Sequence, residues 1–367
     1  MRVPFLDLAR NVSSHRAELD AAIECVLRSG RFVLGEEVQR FEDEFASFCG
    51  TKYAIGVASG TDAITVALQA VGVGPGDDVV TVANTCVPTI VGIEATGARP
   101  VLVDVDPDTF TLDPDKLEAA LTERTRAIVP VHLYGQCADL EPILALARAR
   151  GLRVVEDCAQ AHGAEYRGRC AGSIGEAGAF SFYPTKNLGA LGDAGAVTTN
   201  DAEVAERARL LRNYGERARF EHVVRGRNSR LDTLQAAVLR AKLPHLAAWN
   251  ERRRELAARY TKSLAVTPVR PPIEADGRRH VYHLYVVRTP RREVFRAKLD
   301  ERGVGTAVHY PTPIHLQPAY RDLAPAEQSL EVTERLAREI VSLPLHPELE
   351  DADVAYVSDA LGAAALA

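Results

Sequence analysis

The order of apolar and polar positions predicts a layered architecture over the first 200 residues. Short runs that are almost wholly apolar alternate with segments in which apolar residues recur every three to four positions. The apolar runs include AIGVAS, VVTVA, RPVLVDVD, TRAIVPVHLY, LRVVEDC, GAFSFY and GAVTT. Strands of this kind, alternating with helices, are typical of an α/β fold with a mostly parallel central sheet covered by helices on both faces.

The helical segments between these runs have recognisable ends. One helix, with Leu19, Ile23 and Val26 on a single face, ends at Gly30. Another, DLEPILALARARG, ends at Gly151. Because glycine readily takes the left-handed conformation that closes a helix, these positions fix the ends of both elements.

The pattern changes after Asn200. A helix over 201–213 precedes a polar, irregular segment over 214–230, and a long helical pattern with a kink at Pro244 covers 231–265. Strand, helix and loop patterns then lead to one last helix from about residue 331.

A proline-rich linker over residues 267–278 follows the long helical pattern. We predict a large domain over residues 1–245 and a smaller α+β domain over 246–367.

Composition narrows the class of protein. The 367 residues carry a formal net charge of −6 and no long basic stripe, which argues against nucleic acid and anionic membrane as partners. No stretch of about 18 apolar residues occurs, and the N-terminus has no apolar signal core. The six cysteines form no C-x-x-C pair, so we expect neither a metal site nor a disulfide framework, but reduced thiols in a cytoplasmic protein.

Polar residues directly follow three of the apolar strands. Ser59-Gly60-Thr61 leads into a helix, where free N–H groups and the helix dipole favour an anion, although a simple N-cap explains the same residues. Asp157 follows a buried strand, where a carboxylate needs a partner: a cap, a metal ion or a cationic ring nitrogen. Lys186 follows SFYPT, and burial there lowers the pKa of its amine, unless the side chain extends to the surface.

These three features together fit one ligand. A phosphate at a helix N-terminus, a carboxylate facing a pyridinium nitrogen and a nucleophilic lysine are what pyridoxal 5′-phosphate requires. We further expect the glycines of 189–195 to let the backbone lie close to the ring.

The motifs also resemble a known family. SGTDA, EDCAQAHGA, AFSFYPTKNLGALGDAGA, GRNSRLDTLQAAVL, YHLYVVR and VHYPTPIHLQPAY occur in this order across almost the whole chain. They are similar to the DegT/DnrJ/StrS nucleotide-sugar aminotransferases. The resemblance implies a fold-type I pyridoxal phosphate enzyme and a homodimer with active sites shared across the interface.

The resemblance also implies roles for single residues. Lys186 matches the Schiff-base lysine, Asp157 the partner of the pyridinium nitrogen, and Gln160 the residue on one face of the ring near its hydroxyl. Ser181 matches the phosphate-binding serine, together with the Ser59-Gly60-Thr61 turn. Asn228 matches the asparagine that reaches the phosphate from the other subunit.

One position departs from the family's pattern. The residue after Thr85 is often aromatic in relatives and stacks on the second face of the ring, whereas this chain has Cys86. A packing role for this thiol is favoured over a nucleophilic one. Some relatives replace the lysine with histidine and act as sugar dehydratases, and Lys186 argues against that activity here.

The same resemblance suggests the substrates. It implies transfer of an amino group from L-glutamate to a keto-deoxyhexose on a nucleotide, with the 3-keto position of a dTDP-linked sugar favoured. The substrate-side candidates are His309, Tyr310 and His315, with a plain loop histidine as the alternative for His315. Arg230 is suited to the donor's carboxylate, but a structural ion pair is an equal explanation.

Several other functions remain open. A 4-keto nucleotide sugar or a keto-cyclitol are alternative acceptors, and a non-catalytic, cofactor-binding regulatory protein is a further alternative. A nicotinamide dehydrogenase is disfavoured because no G-x-G-x-x-G follows the first strand.

Overall fold

A computed structural model describes residues 2–324 and 329–365 and has the expected α/β architecture. The helices are α1 (Leu8–Ser14), α2 (Arg16–Ser29), α3 (Glu36–Cys49), α4 (Gly60–Ala70), α5 (Val87–Glu94), α6 (Leu117–Ala120), α7 (Leu140–Arg150), α8 (Ala202–Arg212), α9 (Thr233–Lys242), α10 (Leu246–Leu264), α11 (Arg292–Glu301), α12 (Glu331–Glu339) and α13 (Asp351–Ala365). The predicted glycine caps are confirmed, since Gly30 and Gly151 both have a φ of 65°.

In the described part of the chain, the strands form one large sheet and three small ones. They are β1 (Tyr53–Val57), β2 (Asp78–Val82), β3 (Arg99–Val103), β4 (Thr125–Ile128), β5 (Arg153–Asp157), β6 (Glu165–Tyr166), β7 (Arg169–Cys170), β8 (Ala177–Ser181), β9 (Gly195–Thr199), β10 (Glu216–Ala218), β11 (Glu221–His222), β12 (Arg278–Arg279), β13 (Tyr285–Arg288) and β14 (Ile340–Leu343).

The large sheet has the order β1-β9-β8-β5-β4-β2-β3. Only β9 runs antiparallel to its two neighbours, and the remaining pairs are parallel. The prediction of a mostly parallel sheet is therefore confirmed.

Helices bury both faces of this sheet. Phe180 packs with Phe41 and Phe45 of α3 on one face, while Ala179, the preceding residue, packs with α4 residues such as Leu68 on the other. Because successive side chains of a strand point to opposite faces, a strand covered on both sides has to be apolar throughout. This explains the continuous apolar runs in the sequence.

Strands β1, β2, β5 and β8 all end at the same edge of the sheet. In open α/β sheets, ligands bind outside the carboxyl ends of the strands. The segments that follow these strands, 58–61, 83–86, 158–160 and 182–186, therefore meet at one edge, together with Asp157 at the end of β5.

The C-terminal part has its own apolar core. The pair β13–β14 is antiparallel and lies against α10, α11 and α13, with Tyr260, Tyr285, Leu299 and Val357 buried. Val3 belongs to the same core and forms a parallel bridge with Val304. The domain boundary near residue 245 stays a prediction.

Three predictions about this region need correction. The last helix is two helices, α12 and α13, because residues 340–343 leave the helix and pair with β13. Of the strand predicted over HVYHLYVVR, only the last four residues, Tyr285–Arg288, form a strand, which is β13. The segment 214–230 is less irregular than expected, since β10 and β11 form a short hairpin within it.

The kink predicted at Pro244 is confirmed. A single 3₁₀ turn, Leu243–His245, separates α9 from α10. Across residues 2–324 and 329–365, no helix combines the length and the apolar character required to cross a bilayer.

Candidate active site

A cavity of about 380 Å³ opens at the carboxyl edge of the large sheet. Its wall brings together ten of the thirteen site residues that the sequence suggested. These are Ser59, Gly60, Thr61, Cys86, Asp157, Gln160, Ser181, Lys186, His309 and Tyr310.

The Ser59-Gly60-Thr61 turn forms one end of the cavity. Ser59 caps α4 by accepting a hydrogen bond from the N–H of Asp62 (3.2 Å), so the N-cap explanation is confirmed. Within the described ranges, the N–H groups of Gly60 and Thr61 find no acceptor. Both N–H groups lie at the positive end of the helix dipole, where an anion is favoured.

Gly60 allows this turn to lie directly against Ser181. A Cβ on Gly60 would come within 2.4 Å of Ser181 Cβ and 2.9 Å of its Oγ. Only glycine fits here, and its absence of a side chain leaves the Ser181 hydroxyl beside the free N–H groups. The arrangement is a small cradle of hydrogen-bond donors.

Asp157 ends β5 and is buried. Its Oδ1 accepts from the N–H of Ala159 (3.1 Å), and its Oδ2 accepts from the hydroxyl of Thr89 (2.8 Å). Burial nevertheless raises the pKa of Asp157 above its usual value, against these hydrogen bonds and the charge of Lys186. A cationic group in the cavity would favour the ionised carboxylate.

Lys186 lies in the turn after β8 and faces the cavity. Its N–H donates to the carbonyl of Tyr183 (2.8 Å), which folds the chain back beyond Pro184. Burial lowers the pKa of the Lys186 amine, partly opposed by Cys86 and Asp157. This direction agrees with the one expected from the sequence, and it increases the fraction of neutral, nucleophilic amine.

The glycines after Lys186 act differently from our expectation. A Cβ on Gly189 would lie 2.4 Å from the carbonyl oxygen of Pro184, and one on Gly195 would lie 2.3 Å from that of Ser59. Gly192 lies near Gln235 of α9, with its Cβ position 3.0 Å from that side chain. These glycines serve contacts between chain segments, with backbone at Gly189 and Gly195 and with a side chain at Gly192, and they do not line the cavity.

Two tyrosines hold Gln160 in the cavity wall. Its Oε1 accepts from the N–H of Tyr134 (2.7 Å), and its Nε2 donates to the hydroxyl of Tyr310 (3.3 Å). His309 precedes Tyr310, and its Nδ1 lies 2.8 Å from the hydroxyl of Ser342. Burial, helped by Lys186, lowers the pKa of His309 to about 4, so this imidazole is neutral at physiological pH.

Cys86 lies at the N-cap of α5 with extended backbone (φ −77°, ψ 145°). It is half-buried in the cavity wall near Tyr310. Burial first, and then the Cys86 thiol, raise the pKa of Tyr310 well above its usual value.

Three suggested residues do not reach the cavity of their own chain. Asn228 is exposed and forms an isolated antiparallel bridge with Asn213. Arg230 donates to Asn213 Oδ1 (2.9 Å) and lies 5.4 Å above the ring of Tyr214. His315 is buried, with its Nε2 3.1 Å from a carboxylate oxygen of Glu334.

The structure adds residues that the sequence did not single out. Thr89 contacts Asp157, and the Thr85 hydroxyl lies 2.7 Å from that of Thr89, so Thr85 donates to Thr89 while Thr89 donates to Asp157. The run TCVPT after strand VVTVA was the available signal, since it is another polar stretch after an apolar strand. His283 and Asp193 also line the cavity, and their surrounding sequence gave no such signal.

One group beneath the site has the composition of a metal site. His132, Glu156 and Cys158 place potential ligand atoms within 4.8 Å of one another. However, Glu156 already accepts from the N–H groups of Gly172 (2.9 Å), Ile174 (2.8 Å) and Gly175 (2.8 Å) and lies 2.9 Å from His132 Nε2. Although burial opposes ionisation, these contacts hold the pKa of Glu156 below its usual value. We therefore interpret the cluster of His132, Glu156 and Cys158 as a structural support for the end of β5.

The cavity suits pyridoxal phosphate. The cradle at Gly60, Thr61 and Ser181 offers donors for a phosphate, and Asp157 is a buried carboxyl whose two hydrogen-bond partners are the neutral N–H of Ala159 and hydroxyl of Thr89. Lys186 supplies an amine with a lowered pKa in the same cavity. These residues could hold the phosphate, the ring nitrogen and the aldehyde carbon of that cofactor.

Comparison with known proteins agrees with this geometry. A protein from Streptomyces venezuelae named dTDP-3-amino-3,4,6-trideoxy-alpha-D-glucose transaminase is 52% identical over 361 residues, which cover 98% of this chain and 95% of the relative. A protein from Geobacillus stearothermophilus named pleiotropic regulatory protein is 48% identical, over 97% of both chains. A crystal structure of DesV from S. venezuelae superposes with a TM-score of 0.97 and 52% identity, covering 99% of this chain and 98% of that one.

A family model also matches almost the whole chain. The match to the DegT/DnrJ/EryC1/StrS aminotransferase family covers residues 13–362. It includes the Ser59 turn, Asp157 and Lys186. The chain belongs to the DegT/DnrJ/EryC1/StrS aminotransferase family, whose members depend on pyridoxal 5′-phosphate.

Proposed function

We propose that this aminotransferase moves the amino group of L-glutamate to the 3-keto group of a deoxyhexose carried on dTDP. The observation that carries the proposal is the cavity that joins Lys186, Asp157 and the Ser59-Gly60-Thr61 turn. The S. venezuelae relative, whose name specifies a 3-amino dTDP-sugar, supports the choice of acceptor.

The proposed roles of the residues follow from their surroundings. Pyridoxal phosphate, when bound, carries the amino group and takes up the electron pair left when a proton leaves the substrate carbon. Lys186 holds and moves that proton, because burial lowers the pKa of its amine and so makes the neutral, proton-accepting form more accessible. Asp157, held by Thr89 and Ala159, presents a carboxylate to the ring nitrogen.

The Ser59-Gly60-Thr61 turn and Ser181 would anchor the phosphate of the cofactor. The N–H groups of Gly60 and Thr61 and the hydroxyl of Ser181 donate to its oxygens. Gln160 lies at the ring and its hydroxyl, with an orientation set by Tyr134 and Tyr310. His309 and Tyr310 line the same wall and contact the sugar substrate.

We also propose a homodimer in which Asn228 completes the phosphate site of the partner. Asn228 is exposed in the single chain and does not line the cavity of that chain. Large apolar side chains are exposed near the N-terminal helices and on the β10–β11 hairpin, including Leu27 (53%), Phe32 (46%), Val33 (54%) and Phe220 (80%). Exposed apolar area of this extent is typical of a surface that another chain covers. The six free thiols favour the cytoplasm as the compartment.

Arg230 and His315 lie outside the cavity of their own chain, so their proposed roles have less support. Within the described residues, Arg230 makes no ion pair, and its guanidinium group contacts only Asn213 and Tyr214. This group could therefore bind the carboxylate of the amino donor in the site of a partner subunit. His315 contacts Glu334 and is set apart from the cavity, which favours the simple loop histidine over a substrate contact.

A regulatory, non-catalytic function is the second candidate, because the G. stearothermophilus relative is named a regulatory protein. The half-reaction with L-glutamate distinguishes the catalytic function from the regulatory one. The purified protein with bound cofactor is mixed with L-glutamate, and the visible absorbance band of the cofactor is followed. We expect the band to be replaced and one equivalent of 2-oxoglutarate to form per site. A band that stays unchanged, with no keto acid released, would leave the regulatory function standing.

A further inference from the structure

His283 is a wall residue of the cavity that has no role in the proposal above. It precedes β13 and is only 8% exposed. The N–H groups of its neighbours Val281 and Leu284 donate to the carbonyls of Gly135 (2.9 Å) and Tyr134 (3.2 Å). The segment is thus fastened to the same wall that orients Gln160, and the backbone of His283 is fixed.

A buried amide network determines how the His283 ring is protonated. Asn187, the residue after Lys186, donates through Nδ2 to Asn250 Oδ1 (2.9 Å) and to the carbonyl of Val281 (3.2 Å). Asn250 in turn donates through Nδ2 to the carbonyl of His162 (2.8 Å). These contacts fix both amide orientations, because an amide nitrogen only donates and an oxygen only accepts.

The remaining atom of Asn187 faces His283. Asn187 Oδ1 lies 3.1 Å from His283 Nδ1, so Nδ1 carries the hydrogen and donates it. Burial, followed by the charges of Lys186 and Arg253 and by His162 and His309, lowers the pKa of His283 well below its usual value. The imidazole is therefore neutral, and its Nε2 has a free lone pair.

We propose that His283 positions Lys186: its Nε2 accepts a hydrogen bond from the free amine of Lys186 and orients that amine toward the substrate carbon, while Asn187 fixes the ring tautomer. Lys186 and His283 line the same cavity, and Asn187 joins them through the chain and through its side chain. The proton stays on the lysine, because the imidazole does not take it. The inference rests on the proposed function only in treating Lys186 as the proton carrier.

The tautomer is tested first, and this step needs no substrate. The holoenzyme is labelled with ¹⁵N-histidine, and the two ring nitrogens of His283 are assigned by comparison with the His283→Gln variant. We expect Nδ1 to be protonated and Nε2 to be bare from pH 6 to pH 9. Asn187→Ala, which removes the acceptor, is expected to populate the second tautomer. A ring with hydrogen on Nε2, or on both nitrogens, in the wild type overturns the proposal.

Two matched variants then test the positioning of Lys186. Gln can place an acceptor oxygen where Nε2 lies, whereas Phe keeps the ring shape without an acceptor. In the half-reaction with Cα-deuterated glutamate, we expect His283→Phe to slow turnover on the order of tenfold to a hundredfold. We also expect its deuterium isotope effect to rise while the KM for glutamate stays unchanged, and His283→Gln to recover most of the rate.

Each other outcome decides against the proposal. Equal rates and isotope effects in wild type and His283→Phe, or equal losses in both variants with a lower melting temperature, would show a packing residue. If His283→Phe does not fold, Asn187→Ala replaces it, and an unchanged isotope effect together with an unchanged tautomer contradicts the network. Because no sugar is present, a wrong assignment of the acceptor sugar leaves these results untouched.

Discussion

Thr89 determines how the carboxylate of Asp157 is held, and this can be tested at the scale of one hydroxyl group. The bond from Thr89 to Asp157 Oδ2 (2.8 Å) is one of two hydrogen bonds to that group. Thr89→Val removes it and leaves the shape unchanged. Since a hydrogen bond to a charged group contributes about 1.5 kcal/mol, we expect cofactor affinity to fall about tenfold. The dissociation constant of pyridoxal phosphate, measured by absorbance titration, tests this prediction.

The matched control for this change is Thr81→Val. Thr81 is a buried threonine of the same sheet whose hydroxyl donates to the carbonyl of Val129 (2.9 Å) outside the cavity. The Thr81→Val variant loses one hydroxyl group but leaves the contacts of Asp157 unchanged, so its affinity for the cofactor should stay at the wild-type value. Equal losses in both variants would contradict a specific role for Thr89.

His162 makes the stability of the protein depend on pH. Its ring lies between Phe180 and Phe182, and burial, together with Lys186, lowers its pKa to about 3 from 6.5. Below pH 6.5 the unfolded chain binds a proton that the folded chain does not, so stability is present above that pH and is lost on acidification. From pH 7 to pH 5, this residue lowers the free energy of unfolding by about 2 kcal/mol.

The variant His162→Gln removes the titrating group. Urea unfolding at pH 7 and pH 5, at one protein concentration, should show a drop in stability that is smaller by about 2 kcal/mol than in the wild type. His222→Gln, at an exposed histidine of β11, serves as the control and should keep the wild-type drop. Equal drops in all three proteins would mean that His162 is not held neutral by the fold.

At the scale of elements, the site depends on how closely α4 approaches the end of β8. Gly60→Ala places a Cβ 2.4 Å from that of Ser181 and must push the two elements apart. We expect a loss of cofactor affinity of at least about tenfold, because the phosphate donors no longer converge. Gly74→Ala is the matched control, since a Cβ there meets nothing within 4 Å. An unchanged dissociation constant in Gly60→Ala would contradict the cradle.

The sequence predicted most elements of the large sheet because each strand there is buried on both faces, so its signal is local. It missed β14 because Val332, Leu336 and Ile340 continue a helical stripe, while the strand arises from pairing with β13, which is distant in sequence. It also missed the hairpin of β10 and β11, because most residues of its two strands are polar and exposed and show no apolar alternation.

The residues of the site also divide into those with a local sequence signal and those that depend on distant contacts. Lys186, Asp157 and the Ser59-Gly60-Thr61 turn come at or just beyond the ends of apolar strands and could be found from the chain alone, whereas Ser181 was suggested by the family resemblance. Thr89 and His283 act through partners far away in sequence, Asp157 and Asn187, so only the fold reveals them.

At the scale of the whole molecule, the proposed dimer predicts recovery of activity by mixing two impaired variants. Lys186→Ala should be inactive, and Asn228→Ala should bind the cofactor weakly. A hybrid dimer would carry both changes in one site and neither in the other, if Asn228 serves the partner's site. Random exchange of subunits makes half the dimers hybrids, each with one intact site, so we expect about a quarter of wild-type activity.

The mixing experiment has a built-in control. Lys186→Ala mixed with Asp157→Asn, two changes placed in the same cavity of one chain, should give no recovery. Refolding or prolonged incubation of each mixture allows subunits to exchange before the assay. Failure of the first mixture to exceed the sum of its two components would contradict a shared site.

The most direct test of the central proposal is a panel of dTDP-linked 3-keto and 4-keto deoxyhexoses, each incubated with the holoenzyme and ¹⁵N-labelled L-glutamate. Mass spectrometry of the products identifies which sugars gain the labelled amino group. We expect ¹⁵N-amino sugar from the 3-keto substrates and little from the 4-keto ones. Amination of the 4-keto sugars alone, or of no nucleotide sugar at all, would contradict the proposed function.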